Sequence, residues 1–232
     1  MSESPLVLVA GGSSAAGIAV AAALVSSGFR VLTAGSDAGR IGAAAALTGG
    51  AVPLVCDLAA PESVAALAAD IHRDHGPLDG LVHLVGGWRG GKGLAAQTDE
   101  DWDFLHRSVL TTLRNTTRAF YDDIAASPGG RIAIVSSTAV TAPTPGNANY
   151  AAIKAAAETW ILALAAGFTP EDGSAAVVLV VKALVDDAMR AASPERKFPG
   201  FTDVAALGQT VVGLFSSPAV RLNGSRMELD QN

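Results

Sequence analysis

The sequence predicts an α/β protein with a doubly wound parallel sheet, covered by helices on both faces in a three-layer α/β/α arrangement. Short runs rich in β-branched residues alternate with longer alanine-rich stretches along the 232 residues, as expected for strands joined by crossover helices. The short runs are apolar throughout, which is typical of strands buried on both faces. A glycine-rich turn follows the first run. Because neither a linker nor a low-complexity segment interrupts the alternation, we predict one domain over residues 1–232.

The predicted strands are the short apolar runs, most of which stop at glycine, proline or a polar residue. In chain order they are Leu6–Val9, Arg30–Ala34, Val52–Cys56, Gly80–Val85, Arg131–Val135, Ala176–Val181 and Ser225–Leu229. Since their side chains are apolar at successive positions, both faces of the sheet need a covering layer.

The predicted helices carry recognisable signals at their ends. Gly28 ends the first helix, and Pro61 occupies a favoured position in the first turn of the third. Thr98 with Asp101 resembles an N-terminal cap for one long helix. In chain order the helices are Ala15–Ser27, Ala38–Leu47, Pro61–His75, Asp99–Ala126, Asn149–Ala166 and Asp203–Ser216.

The composition narrows the classes of function. The net charge is −6, half of the residues are hydrophobic and 16% are charged, which argues against nucleic acid and anionic membranes as partners. The single cysteine, Cys56, excludes an intrachain disulfide, and its apolar neighbours predict a buried structural thiol. Neither a signal peptide nor a membrane span is evident, so a cytoplasmic protein is expected. The spacing of His72, His75 and His106 indicates no metal site.

Tyr150 and Lys154 are the most informative residues of the chain. Positions i and i+4 of a helix share one face, so the ammonium is expected beside the phenol. A tyrosine phenol has a pKa of about 10. A neighbouring cation is expected to lower that pKa towards the range that suits proton exchange with a carbonyl or an alcohol. Ser137 precedes Tyr150 by thirteen residues and can hydrogen-bond the same substrate oxygen.

The turn after the first predicted strand points to a dinucleotide. Glycines between a strand and a helix allow a tight turn and close approach of the main chain to phosphate. The two outer glycines have the spacing of a dinucleotide fingerprint, while serine and alanine replace the middle one. The residues predicted to contact a cofactor here are Gly11, Ser13, Ser14, Gly17 and Ile18.

With this turn, and with Ser137, Tyr150 and Lys154 in order, the chain resembles the short-chain dehydrogenase/reductase family over nearly its whole length. The resemblance implies a Rossmann fold and hydride transfer between a nicotinamide cofactor and a small carbonyl or alcohol. It implies that Ser137 and Tyr150 stabilise the substrate oxygen and that Tyr150 donates the proton. Lys154 would lower the pKa of the phenol and hold the nicotinamide ribose.

The same resemblance assigns further cofactor contacts. Asp57 and Leu58 follow the third strand, where the family places an aspartate near the adenine. Val85 and Gly86 follow the fourth strand, at the family's Asn-Asn-Ala-Gly stretch. His83, at the end of that strand, is expected to be a neutral, hydrogen-bonded core residue. The resemblance also implies a homodimer or homotetramer, joined through the two longest predicted helices.

A closer, local likeness is to dihydropteridine reductases. Residues 86–91 look like their Gly-Gly-Trp-x-Gly-Gly loop, and residues 144–146 look like their Thr-Pro-Gly ahead of the tyrosine. This likeness implies a quinonoid dihydropteridine as one possible substrate, on which Trp88 could stack. Residues 186–199 are the expected substrate lid.

Two stretches depart from the family pattern. The family's long helix usually supplies a catalytic asparagine that helps a bound water to relay protons to the lysine. Here Ser108 and Val109 occupy the aligned positions, and Asn115 lies nearly two turns later. Lys182 and Ala183 replace the Pro-Gly after the sixth strand. These departures leave open a redox-neutral lyase, isomerase or cyclase on the same scaffold, or a nucleotide sensor without turnover.

The end of the second predicted strand favours NADP over NAD. An acidic residue there would bind the ribose hydroxyls and repel a 2′-phosphate, but Gly35 occupies the position. Ser36 and Arg40 can approach such a phosphate. Asp37 would oppose it if its side chain pointed inward.

Overall fold

The computed structural model describes residues 4–169 and 173–229, so both ends of the predicted domain and residues 170–172 lie outside the described residues. The strands are β1 (Leu6–Ala10), β2 (Arg30–Gly35), β3 (Val52–Val55), β4 (Gly80–His83), β5 (Arg131–Ser137), β6 (Ala175–Val181), β7 (Leu184–Val185), β8 (Thr202–Asp203) and β9 (Arg226–Glu228). The helices are α1 (Ala15–Ser26), α2 (Ala38–Ala46), α3 (Pro61–Asp74), α4 (Asp99–Leu105), α5 (Thr112–Ala126), α6 (Ala148–Ala165), α7 (Asp187–Ala192), α8 (Val204–Ser216) and α9 (Ala219–Leu222). Short 3₁₀ turns cover Leu94–Ala96, Thr138–Val140 and Pro145–Asn147, and a π-helical segment covers His106–Thr111.

The strands of the main sheet are all parallel and lie in the order β3-β2-β1-β4-β5-β6-β9. This order confirms the predicted doubly wound α/β sheet. The chain leaves β1 in one direction towards β2 and β3, and then crosses back to place β4 on the other side of β1. The reversal opens a crevice at the carboxyl ends of β1 and β4, where ligands bind in sheets of this kind.

Both faces of the central strands are buried under helices, as the apolar strands predict, whereas the edge strands β3 and β9 are more exposed. Successive side chains of β1 point to opposite faces. Leu8 packs in a cluster with Phe120 of α5 and other residues of α3 and α6. Val9 packs in a second cluster, which includes Leu24 of α1 and Leu207 of α8. The lack of alternation in the strand sequences therefore reflects two apolar layers, one on each side.

The predicted long helix is present, but it is not regular throughout. Thr98 caps α4 as expected, since its hydroxyl oxygen accepts a hydrogen bond from the Asp101 N–H at 3.1 Å. The π-helical segment His106–Thr111 then separates α4 from α5. The helical turns together span the predicted residues 99–126. The sequence did not indicate the irregular segment, because a π turn inserts a residue without leaving a glycine or proline signal.

Several small elements have no counterpart in the predicted pattern. The strands β7 and β8 and the helices α7 and α9 are too short to show a period of their own. Their positions depend on tertiary contacts instead. Leu184 of β7 pairs with Thr202 of β8, and α7 lies within the predicted lid, where Arg190 hydrogen-bonds Asp203.

Steric constraints explain the glycines of the turn between β1 and α1. Gly11 has a φ of 86°, in the left-handed region that glycine readily adopts. A Cβ on Gly17 would lie 2.4 Å from the Gly11 carbonyl oxygen and 2.7 Å from the Gly12 Cα. Ser14 caps α1, because its Oγ accepts a hydrogen bond from the Gly17 N–H at 3.0 Å and donates one to the Gly11 carbonyl at 2.9 Å. These contacts hold the turn in one compact shape.

A buried arginine ties the amino end of the sheet to its covering helices. Arg131, the first residue of β5, is 4% exposed. Its guanidinium donates hydrogen bonds of 2.7–2.8 Å to four main-chain carbonyls, those of Gly130, Gly173, Leu214 and Ser217. Burial lowers the pKa of the guanidinium, but an arginine keeps its charge at any ordinary pH.

We expect Gly17→Ala to lower the free energy of unfolding by about 2–4 kcal/mol, because the new Cβ collides with main-chain atoms. The matched control is Gly42→Ala in α2, where a Cβ meets no atom within 4 Å and should stabilise the helix by about 0.5–1 kcal/mol. Urea denaturation measures both changes. Equal effects of the two substitutions would contradict the close packing of the turn.

Arg131→Lys is expected to lower the free energy of unfolding by about 2–4 kcal/mol. An ammonium cannot reach all four carbonyls to which the planar guanidinium donates hydrogen bonds. Arg114→Lys on the exposed side of α5 serves as the control and should change stability by less than about 0.5 kcal/mol. Thermal and urea unfolding of both variants test this expectation. If Arg131→Lys changed the free energy of unfolding by no more than Arg114→Lys does, the hydrogen bonds from Arg131 to the four carbonyls would not stabilise the fold.

Candidate active site

Two cavities adjoin at the carboxyl edge of the sheet. The first, of about 510 Å³, contains Ser137, Tyr150 and Lys154 and is called the triad cavity here. The second, of about 390 Å³, is lined by the β1–α1 turn and the end of β2 and is called the turn cavity. They share a wall formed by the residues that follow β4, namely Leu84, Val85 and Gly86. The crevice therefore has two parts. The triad cavity holds the predicted catalytic residues, and the turn cavity holds most of the predicted cofactor contacts.

The triad cavity brings together the three predicted catalytic residues. Ser137 is the last residue of β5, while Tyr150 and Lys154 project from α6 one helical turn apart. The chain enters α6 through a short turn in which the Asn147 side chain accepts a hydrogen bond from the Thr144 N–H at 2.7 Å. This bond closes the 3₁₀ turn Pro145–Asn147, which leads directly into α6.

The side chains of Ser137 and Tyr150 both line this cavity. Ser137 Oγ accepts a hydrogen bond from the Ala139 N–H at 3.1 Å, which holds the hydroxyl in place. Burial raises the pKa of Tyr150, and the nearby Ser137 hydroxyl acts in the opposite direction. The predicted lowering of this pKa by Lys154 is therefore wrong for this geometry, because the loss of solvent outweighs an ammonium 5.9 Å from the ring centre.

Lys154 is a buried cation, only 8% exposed. Its Nζ donates a hydrogen bond to the Val135 carbonyl at 2.8 Å. Burial lowers the pKa of Lys154 to about 8, and the negative charge of Glu158 acts against that shift. The side chain is consequently an ammonium at neutral pH that loses its proton in mildly alkaline solution.

Glu158 is a buried carboxylate that the sequence analysis missed. It lies one turn after Lys154 on α6 and accepts a hydrogen bond from the Ser136 hydroxyl. Arg226 of β9 contacts its other oxygen at 3.1 Å and also reaches the Ser137 carbonyl at 3.4 Å. The i+4 spacing from Lys154 was a usable signal for Glu158, whereas nothing near Arg226 in the sequence indicates this partnership.

The turn cavity collects most of the residues predicted to contact a cofactor. Its lining includes Gly11, Ser13, Ser14, Ser36, Arg40, Asp57, Leu58, Val85 and Gly86. Gly17 and Ile18 line neither cavity. Gly17 packs beneath the turn, and the Ile18 N–H donates to the Ser14 carbonyl at 2.9 Å within α1. Both act on the shape of the turn from behind it.

The end of β2 presents polar groups to the turn cavity. Ser36 and Arg40 are exposed and line it. Asp37 does not, because its Oδ1 accepts a hydrogen bond from the Arg40 main-chain N–H at 2.8 Å and caps α2. The carboxylate is thereby directed at the N-terminus of α2.

The residues after β3 are held by local and long-range contacts. Asp57 accepts hydrogen bonds from the Ala59 N–H at 2.9 Å and from the Arg107 guanidinium at 2.8 Å. Cys56 is buried, as predicted, and burial raises the pKa of its thiol to about 11. The thiol therefore stays protonated at neutral pH and is not a nucleophile.

The position of the family's asparagine falls in the π-helical segment. Ser108 lines the turn cavity, and its hydroxyl donates to the Phe104 carbonyl at 2.7 Å. Val109 is buried and apolar. Asn115 lines neither cavity and instead donates to the Leu58 carbonyl at 3.1 Å. As expected, it does not replace the missing asparagine.

The two stretches that resemble dihydropteridine reductases pack against each other beside the triad cavity. The Gly91 N–H donates to the Gly146 carbonyl at 2.9 Å, and a Cβ on Gly146 would lie 2.6 Å from the Gly91 oxygen. Trp88, in the same loop, lines the cavity and is 63% exposed. Lys182 lines the cavity too, and its Nζ donates to the Pro199 carbonyl at the end of the predicted lid at 3.0 Å.

The part of the chain that the structure describes contains neither a candidate membrane span nor a candidate metal site. None of its helices combines the length and the apolar composition that a membrane span requires. The same residues hold no cluster of three or more histidine, cysteine, aspartate or glutamate side chains arranged for a metal ion.

Comparison with known sequences identifies the family of this chain. The family model for short chain dehydrogenase matches residues 5–197. A stretch of 154 residues is 30% identical to the 3-oxoacyl-[acyl-carrier-protein] reductase FabG of Haemophilus influenzae and 29% identical to that of Escherichia coli K12. The match covers 66% of this chain and 63% of each relative's length.

Solved structures share the fold. A short chain oxidoreductase from Pseudomonas aeruginosa PAO1, described as containing an atypical catalytic center, has a TM-score of 0.86 at 21% identity, covering 97% of this chain and 95% of that one. A short-chain type dehydrogenase/reductase from Mycobacterium ulcerans has a TM-score of 0.87 at 18% identity, covering 99% and 90%. Since the family model extends from β1 across both cavities into the lid segment, the chain belongs to the short-chain dehydrogenase family.

Proposed function

We propose that this protein is an NAD(P)-dependent oxidoreductase that transfers hydride between a nicotinamide cofactor and a small carbonyl or alcohol substrate. The observation that carries the proposal is that Ser137, Tyr150 and Lys154 line one cavity directly beside the turn cavity. A positioned proton donor next to a cleft at a helix N-terminus is what such a reaction requires.

The turn cavity fits a dinucleotide on its own geometry. A Cβ on Gly11 would lie 2.9 Å from the Leu84 carbonyl carbon, so only glycine leaves the main chain accessible at this edge. The N-terminus of α1, a helix of 12 residues, favours phosphate through its free N–H groups and its dipole. Ser13 adds a hydroxyl at the same edge. A bound nicotinamide cofactor supplies or accepts the hydride.

In the reductive direction, Tyr150 is the proton donor. Its raised pKa keeps the phenol protonated at neutral pH, and this is the form that protonates a developing alkoxide. The Ser137 hydroxyl lies beside it and donates a hydrogen bond to the same oxygen, which stabilises the negative charge. Lys154 adds a positive charge to the cavity while its Nζ stays bonded to the Val135 carbonyl, and by the family resemblance it also holds the ribose.

The end of β2 supports NADP over NAD. Ser36 and Arg40 line the turn cavity where the adenosine ribose is expected, and a guanidinium pairs well with a phosphate. The Asp37 carboxylate caps α2 and does not line the cavity, so the repulsion that it would otherwise exert on a 2′-phosphate is reduced.

A small carbonyl compound is the substrate class that the site supports best. The triad cavity has a volume typical of small-molecule sites, and the bacterial relatives are named as 3-oxoacyl-[acyl-carrier-protein] reductases. A second candidate is a quinonoid dihydropteridine, because the exposed Trp88 ring lines the cavity and offers a flat surface for stacking. The Gly91–Gly146 hydrogen bond joins the loop that contains Trp88 to the turn before α6.

The predicted homodimer or homotetramer remains a prediction. The exposed apolar side chains Trp102 on α4 and Leu162 on α6, with exposures of 40% and 46%, support it, since contacts between copies would remove them from water. The predicted cytoplasmic location and the absence of nucleic acid as a partner likewise rest on composition alone.

Tyr150→Phe is expected to lower kcat by about 10²- to 10⁴-fold, because it removes the proton donor. The affinity for NADPH should stay within about twofold, because the phenol is not part of the turn cavity. Loss of nicotinamide absorbance measured with a panel of small carbonyls and a quinonoid dihydropteridine tests the first point, and calorimetry tests the second.

The matched control is Tyr121→Phe, whose ring stacks on Phe168 away from both cavities and which should keep normal turnover. Full turnover by Tyr150→Phe would disprove its assigned role. Product formed by the unaltered protein without any change in absorbance would identify a redox-neutral reaction instead. Tight NADPH binding without product from any substrate would favour a nucleotide sensor.

Arg40→Ala should weaken NADPH binding by about tenfold and leave NADH binding within about twofold, because only NADPH carries the 2′-phosphate. Arg118→Ala, at an exposed position of α5, controls for the loss of one positive charge. Calorimetric titration of each variant with both cofactors gives the comparison. An equal loss for NADH and NADPH would show that Arg40 does not read the phosphate.

A further inference from the structure

His83 lines the triad cavity and carries an unpaired, buried nitrogen. The residue ends β4 and is 4% exposed. Its Nε2 is buried without a hydrogen-bond partner. Burial, followed by the charge of Lys154, lowers the pKa of His83 to about 3. The imidazole is therefore neutral. We assign Nε2 as its acceptor, because Lys154, which lines the same small cavity, can only donate hydrogen bonds.

A small cavity lies beside the His83 side chain. It has a volume of about 10 Å³ and is lined by His83 and Lys154, together with apolar side chains such as Val109 of the π-helical segment and Ala157 of α6. A cavity of roughly this size holds a single water when polar partners are present. Buried polar atoms in folded proteins nearly always have a partner, which is often such a water.

Lys154 has the donors that a water in this cavity needs. An ammonium carries three N–H groups, and one of them is bonded to the Val135 carbonyl. Because Lys154 lines both the triad cavity and the small cavity, a second N–H can point inward while the third stays on the side of Tyr150. His83 Nε2 is an unpartnered acceptor on a residue that lines the same small cavity as the ammonium.

We propose that the small cavity holds one ordered water that accepts a hydrogen bond from Lys154 Nζ and donates one to His83 Nε2, so that His83 is a positioning residue for the Lys154 ammonium. The water and the imidazole approach Lys154 from the sheet, whereas Val109, at the position of the family's asparagine, contributes only an apolar wall. The consequence for catalysis rests on the proposed oxidoreductase function, but the bound water does not.

The arrangement has a measurable effect on the titration of Lys154. The charged and titratable groups that face it are the Glu158 carboxylate and the Tyr150 phenol on its own helix and His83 from β4, with Arg226 of β9 behind Glu158. The hydrogen bond through the water involves an uncharged partner and favours the ammonium. Its removal should therefore lower the Lys154 pKa further below its value of about 8.

The experiment is an NMR titration of protein labelled at the lysine side chains, which is practicable because the chain has just four lysines: Lys92, Lys154, Lys182 and Lys197. His83→Leu removes the acceptor, and Val109→Ile fills the cavity while leaving His83 intact. Both should lower the Lys154 pKa by about 0.5 to 1. His83→Gln, which keeps an acceptor near the position of Nε2, should restore most of the difference. His106→Leu, at an exposed position, should change nothing.

The same shift should appear in the alkaline limb of the pH dependence of kcat/KM, which reports the free enzyme. A high-resolution crystal structure should show density for one water within hydrogen-bond distance of Nζ and Nε2. An unchanged Lys154 pKa in Val109→Ile, or density that shows the cavity dry, would overturn the proposal. The NMR titration and the electron density need no turnover. An inactive protein would therefore refute the proposed function, while these two measurements would still decide whether the water is present.

Discussion

Burial of both faces of the parallel sheet is the constraint on which the rest of the structure depends. Leu8 packs into one apolar layer and Val9 into the other, so polar side chains have little place in the middle of a strand. They collect where the strands end. His83 ends β4 and Ser137 ends β5, and parallel strands bring their carboxyl ends to one edge. The polar side chains of the crevice beside β1 are gathered there for this reason.

Burial also sets the chemistry of that edge. Loss of solvent penalises whichever form of a group is charged, and it therefore raises the pKa of Tyr150 and lowers the pKa values of Lys154 and His83. A phenol that keeps its proton suits carbonyl reduction, and a neutral imidazole can accept a hydrogen bond without repelling the nearby ammonium. Glu158 opposes the loss of the Lys154 proton, so one buried carboxylate helps to keep the cation charged in the cavity.

The outcome for individual residues shows where sequence reasoning succeeds. The i, i+4 spacing placed Tyr150 and Lys154 on one helical face, and the steric need for glycine located the turn. The direction of the Asp37 side chain was left open by the sequence, because either orientation is compatible with the same residues; the cap on α2 decided it. Gly17 was expected at the cofactor, yet it lies beneath the turn, where a Cβ would strike the Gly11 carbonyl.

By itself, the sequence determined the features that depend on neighbours along the chain: apolar strands that need covering on both faces, helix caps such as Thr98, and the spacing within α6. The tertiary structure alone decided the direction of the Tyr150 pKa, the Glu158–Arg226 pair and the small cavity between His83 and Lys154. These features depend on how completely distant segments exclude water from one another. Desolvation and long-range hydrogen bonding are properties of packing, and no local pattern in the chain encodes them.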